Sequence, residues 1–394
     1  MKVIITETDA IRGNLLPLTY LRPCARIRVG IDSIASKWQR MLGGDAEIRF
    51  ETSAYLRPKY PPYPAEIADA PDTLRVTGNI IPTPAMAAAV LALRPGQALV
   101  SGSGDSQRLI AQRGPQVTEQ DEYPAEVLAI DRAYDIFLLN SRCIRADFEA
   151  FTTLPGRKPS ETVTVIGDLS QLYIHPDADD IEGCTINVKE GPVYIGPRSQ
   201  VMEGACLRGP IAIEHNSVVR MGAKVYGGTT IGPWCKIGGE VDNAVFFGYS
   251  NKAHDGYLGN AVIAEWCNLG AGCTASNLKN DYTEIKLWNY PAHRFVRTGL
   301  QFCGLIMGDH SKAGVNTMLN TATTLGVGVN VHGSGFPRPF LASFSEGSVA
   351  GFTDVPMARF FDIARRVMAR RGIELTDTDI DILNHVREYA EQFR

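Results

Sequence analysis

From about residue 170 to 350 the chain repeats itself every six residues: an aliphatic, then glycine or another small or acidic residue, two free positions, a small residue and one more. IHPDAD (174–179), IGPRSQ (195–200), VMEGAC (201–206), IEHNSV (213–218), VRMGAK (219–224) and IGPWCK (231–236) follow the rule. It resumes after residue 300 as MGDHSK (307–312), AGVNTM (313–318), LNTATT (319–324) and LGVGVN (325–330). An α-helix cannot use this period, because its apolar face recurs every 3.6 residues. Short strands joined by tight turns can, with aliphatics pointing into a narrow prism and glycine taking turn dihedrals that other residues resist. Three hexapeptides then make one triangular coil of about eighteen residues, and coils stack at the strand spacing of about 4.8 Å. The rhythm fails at SNLKNDYTEIKLWNYPAHRFVRTGLQF (276–302), an insertion carrying Lys279, Lys286, Arg294 and Arg297. Loops thrown out of a rigid scaffold often carry binding residues, and a solvated hairpin that only packs against a neighbour is an equal reading.

The flanks differ from this repeat. A chain of 394 residues exceeds one ordinary core, so two or three domains are expected. Residues 1–160 mix aliphatic strands (MKVIIT, EIRF) with helical stretches such as TPAMAAAVLALRP, which points to an α/β domain. TTLPGRKPSET (152–162) reads as a linker to the repeat domain at 170–350. A tail at 355–394 carries apolar residues at helical spacing and predicts two helices, the second capped by Thr376 or Asp377. A net charge of -4 gives no reason to expect nucleic acid or an anionic membrane as partner. No apolar run reaches the ~18 residues of a membrane span, and MKVIITETDA has no signal-peptide pattern. The eight cysteines are scattered without a CxxC pair, which suggests reduced, packed thiols in a cytoplasm and no metal cluster.

The repeat resembles the left-handed parallel β-helix of hexapeptide-repeat transferases. That resemblance implies the handedness, a homotrimer, and sites in crevices between prisms. The plain alternative is a trimerisation rod, since fold alone does not establish function. Within the repeat, NKAHDGYLGNAVIAEWCNLGAG (251–272) holds polar groups that a stacking ladder does not need. His254, Tyr257, Gly259, Ala261, Asn268, Leu269, Gly270, Ala271, Gly272 and Asn277 are spaced as in the bifunctional GlmU family, whose pattern is N-H-x-x-Y-x-G-x-A followed by N-I-G-A-G and a further Asn. Carried over by position, the resemblance makes His254 the general base that takes a proton from a sugar amine attacking acetyl-CoA, a task suited to imidazole. Tyr257 and Asn268 would hold the sugar or its phosphate, and Asn277 would orient the acyl group. VRMGAKV (219–225) resembles the family's IRPGTVI and places Arg220 on its phosphate-binding arginine. One position departs: Asp242 stands where the family has a phosphate-neutralising lysine, leaving Lys224, Lys236 or Lys252 to compensate.

The opening MKVIITETDAIRGNLLPLTYLRPCARIRVG resembles the start of sugar-phosphate nucleotidyltransferases, which have a Rossmann-like fold and a glycine-rich loop before R-L-x-P-L-T. It keeps Arg12, Leu16, Pro17, Leu18, Thr19 and Arg22-Pro23, and lacks the glycines before Arg12. The resemblance assigns Arg12, Gly13, Asn14, Thr19 and Arg22 to a nucleotide, with Mg²⁺ required if the domain is active and Asp105 a weak candidate for its ligand. RxNLLPLT near the start and GDHSKAGVNTMLNT (308–321) near the end mark a GlmU-like sugar nucleotidyltransferase variant. The expectation is therefore a transferase of nucleotide-sugar metabolism. Its β-helix would pass an acetyl group from acetyl-CoA to an amino-sugar phosphate, and its N-terminal domain would use an NTP. Two alternatives stand beside it: a nucleotidyltransferase with the helix as scaffold, and a non-catalytic trimer that binds sugar nucleotides.

Overall fold

The structure, a computed structural model, describes residues 1–394 except the side chain of Asp105. It divides into two compact units, one of residues 1–27 and 32–132, the other of residues 28–31 and 133–394. Among the described residues no helix is long and apolar enough to cross a membrane.

The second unit is dominated by a parallel β-solenoid whose coils present three faces. Face one stacks Val193–Ile195, Ile211–Ile213 and Thr229–Ile231, and continues to Phe340–Leu341. Face two stacks Gln200–Val201, Val218–Val219, Lys236–Ile237, Asn251–Lys252, Asn268–Leu269, Lys312–Ala313 and Asn330–Val331. Face three stacks Cys206–Arg208, Lys224–Val225, Thr274–Ala275 and Met318–Leu319. Val193 pairs with Ile211 and Ile211 with Thr229, an eighteen-residue step that matches three hexapeptides. Alternation sends Ile195, Ile213, Val219, Ile237, Leu258 and Leu269 into one continuous buried column. That column is the core, and its burial stabilises the stack at roughly 25 cal/mol per Å².

One corner has a signature that the hexapeptide pattern does not predict. Arg198, Asn216, Trp234, Tyr249, Trp266, His310 and Phe344 all adopt left-handed backbone, with φ of 52, 59, 61, 55, 63, 59 and 57°. Such dihedrals cost energy outside glycine. Stacking between coils offsets the cost: the Tyr249 and Trp266 rings lie 4.3 Å apart at 12°, and His310 continues the column 6.2 Å from Trp266.

The step is not uniform. Lys236 pairs with Asn251 only fifteen residues on, and Asn251 with Asn268 seventeen on. In these coils faces three and one are joined by the continuous strands Glu240–Gly248 and Tyr257–Glu265, bent at Asn243 and Asn260 (φ 46 and 45°). The next step, Asn268 to Lys312, spans 44 residues because the 276–302 insertion leaves the coil. That insertion forms an antiparallel hairpin of Lys286–Asn289 and Arg294–Arg297. Trp288 stacks on Phe340 at 4.0 Å and Tyr290 meets Phe393 at 4.9 Å, so the hairpin packs on the last coil and the chain's end.

The helix Asp135–Phe151 packs on face one. Asn140 donates to Gly228 O at 2.7 Å and Thr230 Oγ1 at 2.9 Å and accepts from Gly30 N at 2.6 Å. Gly30 (φ 75°) is required there, since a Cβ would lie 2.3 Å from Asp147 Oδ2. By its contacts this helix belongs with the solenoid unit, which takes in residues 133–394. Of the tail helices, Met357–Ala369 lies over face two, where Phe360 packs on Phe344 and His310. Asp377–Ala390 is capped by Thr376, with Asp379 closing the capping box.

The first unit is an α/β domain around a mixed sheet. Its strands lie in the order Glu47–Glu51, Lys2–Thr6, Leu74–Thr77, Arg108–Arg113, Gln97–Ser101, Glu119–Glu122, and the fourth is antiparallel to both neighbours.

Candidate functional site

His254 sits at the edge where face two turns into face three, just after Asn251–Lys252. It is exposed, and its imidazole makes no hydrogen bond among the described residues. The coil below narrows here to Gly238-Gly239 and presents no side chain. A Cβ on Gly239 (φ 70°) would lie 2.8 Å from the carbonyl oxygens of both His254 and Gly256. Arg220 stands on the same edge beyond this gap, its Cβ 3.3 Å from where a Gly238 Cβ would be. The contraction therefore leaves a notch between Arg220 and His254.

Beneath the edge lies an unexpected cation. Lys252 takes an inward position between Ile237 and Leu269 and is 1% exposed. Its ammonium donates to His254 O at 2.8 Å and Gly238 O at 3.2 Å, tying the two corners together. Burial pulls its pKa down to about 8, against smaller opposing effects of Cys273 and Asp255. Lys252 is thus consumed inside the prism and cannot replace the missing phosphate-binding lysine.

Face three collects the remaining polar groups. Asn277 Nδ2 donates to Tyr257 Oη at 2.9 Å and to Asn260 Oδ1 at 2.8 Å. The phenol lies over Gly259, where a Cβ would be 2.2 Å from Oη, so the glycine makes room for the ring. Burial and then the charge of Asp242 raise the Tyr257 phenol to about 12. Asp242 pairs in register with Gly259, and burial followed by Glu240 raises its own carboxyl. Around the phenol this surface carries the carboxylates Asp242 and Glu240. Lys224, beside Glu240 in register, is exposed on the same face.

Asn268 lies elsewhere. It points outward on face two beside Asn251 and Lys312, and lines a cavity of about 250 Å³ under the end of the Met357–Ala369 helix. The predicted acyl-transfer set is therefore split: His254 and Arg220 on the edge, Tyr257 and Asn277 on face three, Asn268 on face two. Sequence reasoning missed Asn260, which completes the amide cluster, and the inward direction of Lys252. The signal for Lys252 was its place, two residues before His254, where the repeat calls for an aliphatic.

In the first unit, Arg12 is buried and fully engaged. Its guanidinium donates to Glu7 Oε1 at 2.6 Å, Thr19 O at 2.8 Å and Tyr55 Oη at 2.7 Å, with longer bonds to Arg22 O and Thr52 Oγ1. Glu7, in the place of the family's glycine loop, also accepts from Cys24 N at 2.6 Å. Thr19 is buried and donates to Arg12 O at 2.8 Å, and buried Arg22 donates to Leu18 O at 3.0 Å. Arg12, Thr19 and Arg22 staple the loop from within, while Gly13 and Asn14 stay half-exposed. Asp105 lies outside the described side chains, and among those described no group of three His, Cys, Asp or Glu could hold a metal. Two of the insertion's cations turn back on the insertion itself: Lys279 donates to Glu284 O at 3.0 Å, and Arg297 pairs with Glu284 at 3.3 Å.

Comparison with known proteins bears on both units. Residues 3–154 match the family described as sugar nucleotidyl transferase. The bifunctional protein GlmU of Synechococcus elongatus is 27% identical over 151 residues, 37% of this chain and 29% of that protein. A bifunctional sugar-1-phosphate nucleotidylyltransferase/acetyltransferase of Sulfurisphaera tokodaii is 32% identical over 99 residues, 25% of this chain and 24% of that protein. GlmU of Trichodesmium erythraeum is 30% identical over 140 residues, 35% of this chain and 25% of that protein. The matches thus span less than a third of each relative's length. Residues 3–154 thus resemble a sugar nucleotidyl transferase domain, and the chain is GlmU-like over about a third of its length.

Proposed function

We propose that this protein is a transferase of nucleotide-sugar metabolism whose solenoid moves an acetyl group from acetyl-CoA to an amino-sugar phosphate. The observation that carries the reading is the exposed imidazole of His254, free of internal hydrogen bonds and set beside a notch with Arg220 across it. In this reaction the neutral sugar amine attacks the thioester carbonyl and forms the N–C bond. His254 accepts the proton released from nitrogen. The C–S bond then breaks and the thiolate leaves to be protonated as free CoA. A base that holds and releases protons near neutrality suits both halves. Tyr257, with its oxygen already accepting from Asn277, keeps its O–H to donate to a bound sugar.

Because Asn268 and Asn277 occupy different faces, the set converges only if a second prism lies against this edge. A homotrimer meets that requirement, and the cytoplasm is the expected setting. The test is thiol release from acetyl-CoA against a panel of amino-sugar 1-phosphates. The His254→Ala substitution should lower the rate by roughly 10²–10⁴-fold, and undiminished turnover sinks the assignment.

A second reading is favoured by the match of residues 3–154: nucleotidyl transfer from an NTP to a sugar 1-phosphate. Pyrophosphate release with Mg²⁺, each NTP and sugar phosphates reads it out.

A further inference from the structure

The cavity on face two has a charge pattern that the acyl-transfer reading does not use. Its walls are Asn251, Asn268 and Lys312 from the solenoid and Val367, Arg370 and Arg371 from the end of the Met357–Ala369 helix. No lining residue is acidic. Lys236 adjoins it in the same outward column as Asn251, and its pKa is lowered first by burial and then by Arg371, Arg220 and Arg370. Arg371 is lowered by burial and by Arg370. Lys236, Arg370 and Arg371 therefore repel one another on one side of the prism with Lys312 beside them, and among the described residues none of the four pairs with a carboxylate.

Cations after a helix are ordinarily explained by its C-terminal dipole. Here neither guanidinium donates to a helix carbonyl. Arg371 instead reaches across to Asn251 Oδ1 at 3.4 Å, and its Nε is buried without a partner. Lys312 is held upright by the carbonyls of Trp266 and His310, at 3.1 Å each. The stacked Tyr249–Trp266 pair makes a rigid floor. Donors are thus fixed around a volume of about 250 Å³, small for a drug-sized ligand but adequate for a phosphate group with part of its carrier.

We propose that this cavity is a binding site for the phosphate of a small phosphorylated molecule, gripped by Arg370 and Arg371 with Lys236 and Lys312 in support. A phosphate monoester satisfies the open guanidinium donors bidentately and offsets the repulsion among Lys236, Arg370 and Arg371. The site lies on the face opposite the edge from Asp242, so the carboxylate that replaces the family's lysine does not confront it. Its assignment to an acceptor sugar rests on the function proposed above; the anion site itself does not. Phosphate could come from a sugar 1-phosphate or from the nucleotide end of CoA, and the two are separated by the probes.

The experiment is calorimetric titration of the full-length protein with inorganic phosphate, glucosamine 1-phosphate and 3′,5′-ADP at two salt concentrations. Wild type should bind at least one of them more weakly at high salt. The Arg370→Gln/Arg371→Gln variant should lose about tenfold or more in affinity. Arg365→Gln/Arg366→Gln, which removes the same charge from the same helix, should bind as wild type. Dependence on Arg370 and Arg371 for the sugar phosphate assigns the acceptor, and for 3′,5′-ADP it assigns the donor. Absence of binding by all three probes overturns the proposal, as does equal affinity in both double variants. His254→Ala should retain binding while losing thiol release, so failure of the catalytic reading leaves the titration intact, and the reverse holds.

Discussion

Replacing Lys252 by methionine isolates the energetics of a cation inside the prism. The side chain is 1% exposed, and its pKa stands at about 8 against 10.5 for a free lysine. A difference of about 2.5 in pKa, at about 1.4 kcal/mol each, makes the buried charge cost roughly 3 kcal/mol. The sign follows from proton binding. Below pH 8 both folded and unfolded chains hold the proton, and the folded state bears the full cost. Between pH 8 and 10.5 the unfolded chain binds more protons, so stability rises with pH and levels off above. Methionine fills nearly the same volume and abolishes this rise. The variant should be more stable than wild type at pH 7 by about 1–3 kcal/mol, because the lost bonds to His254 O and Gly238 O offset part of the gain. At pH 10.5 the gap should shrink or reverse. Buried Cys235, Cys267 and Cys303, each pushed up to about 12, add an opposite slope above pH 9, but they are common to both proteins and cancel in the difference. Denaturant midpoints followed from pH 7 to 10.5 give the answer. Parallel profiles for the two proteins would refute the assignment of a neutralising lysine to the prism interior.

Two further outcomes can be measured. Gly239→Ala puts a Cβ 2.8 Å from the His254 carbonyl at φ 70°. It should cost about 1–3 kcal/mol in denaturant stability and lower thiol release, whereas Gly222→Ala, with open space around its Cβ, should leave turnover unchanged. Arg12→Lys cannot reproduce a fork shared among Glu7, Thr19 O and Tyr55. It should destabilise the first unit by about 3 kcal/mol, the scale for breaking a buried pair, read as a lowered midpoint for that unit. An unchanged midpoint would mean that Arg12 is not a structural staple.

The solenoid was legible because its physics is local: an aliphatic every six residues fixes strand, turn and interior position together. His254 and Asn268 do not come together within one prism: the imidazole stands on the edge and the amide on face two. What stayed hidden depended on coil length. Nothing in the hexapeptide rule says that Lys236 steps fifteen residues to Asn251, so the notch at Gly238-Gly239 could not be read. The corner column of Tyr249, Trp266 and His310 was equally obscure, because its left-handed backbone is offset by stacking between residues seventeen and 44 positions apart. In the first unit, Arg12 looked exposed to a ligand because motif spacing carries no information on burial.

The contraction also resolves the difficulty posed by Asp242. A carboxylate in place of a phosphate-binding lysine is adverse only if the phosphate approaches the same face. Asp242 and Glu240 lie on face three beside Tyr257, whereas Lys236, Lys312, Arg370 and Arg371 gather on face two. The edge with His254 runs between them. Opposite charges on the two sides of one edge orient a ligand that carries both an amine and a phosphate, with the amine toward the carboxylates and the phosphate toward the arginines. On the function proposed above, the lost lysine and the placing of the C-terminal helix belong together: the cations stand across the edge from Asp242, and Arg370 and Arg371 at the helix end supply charge there.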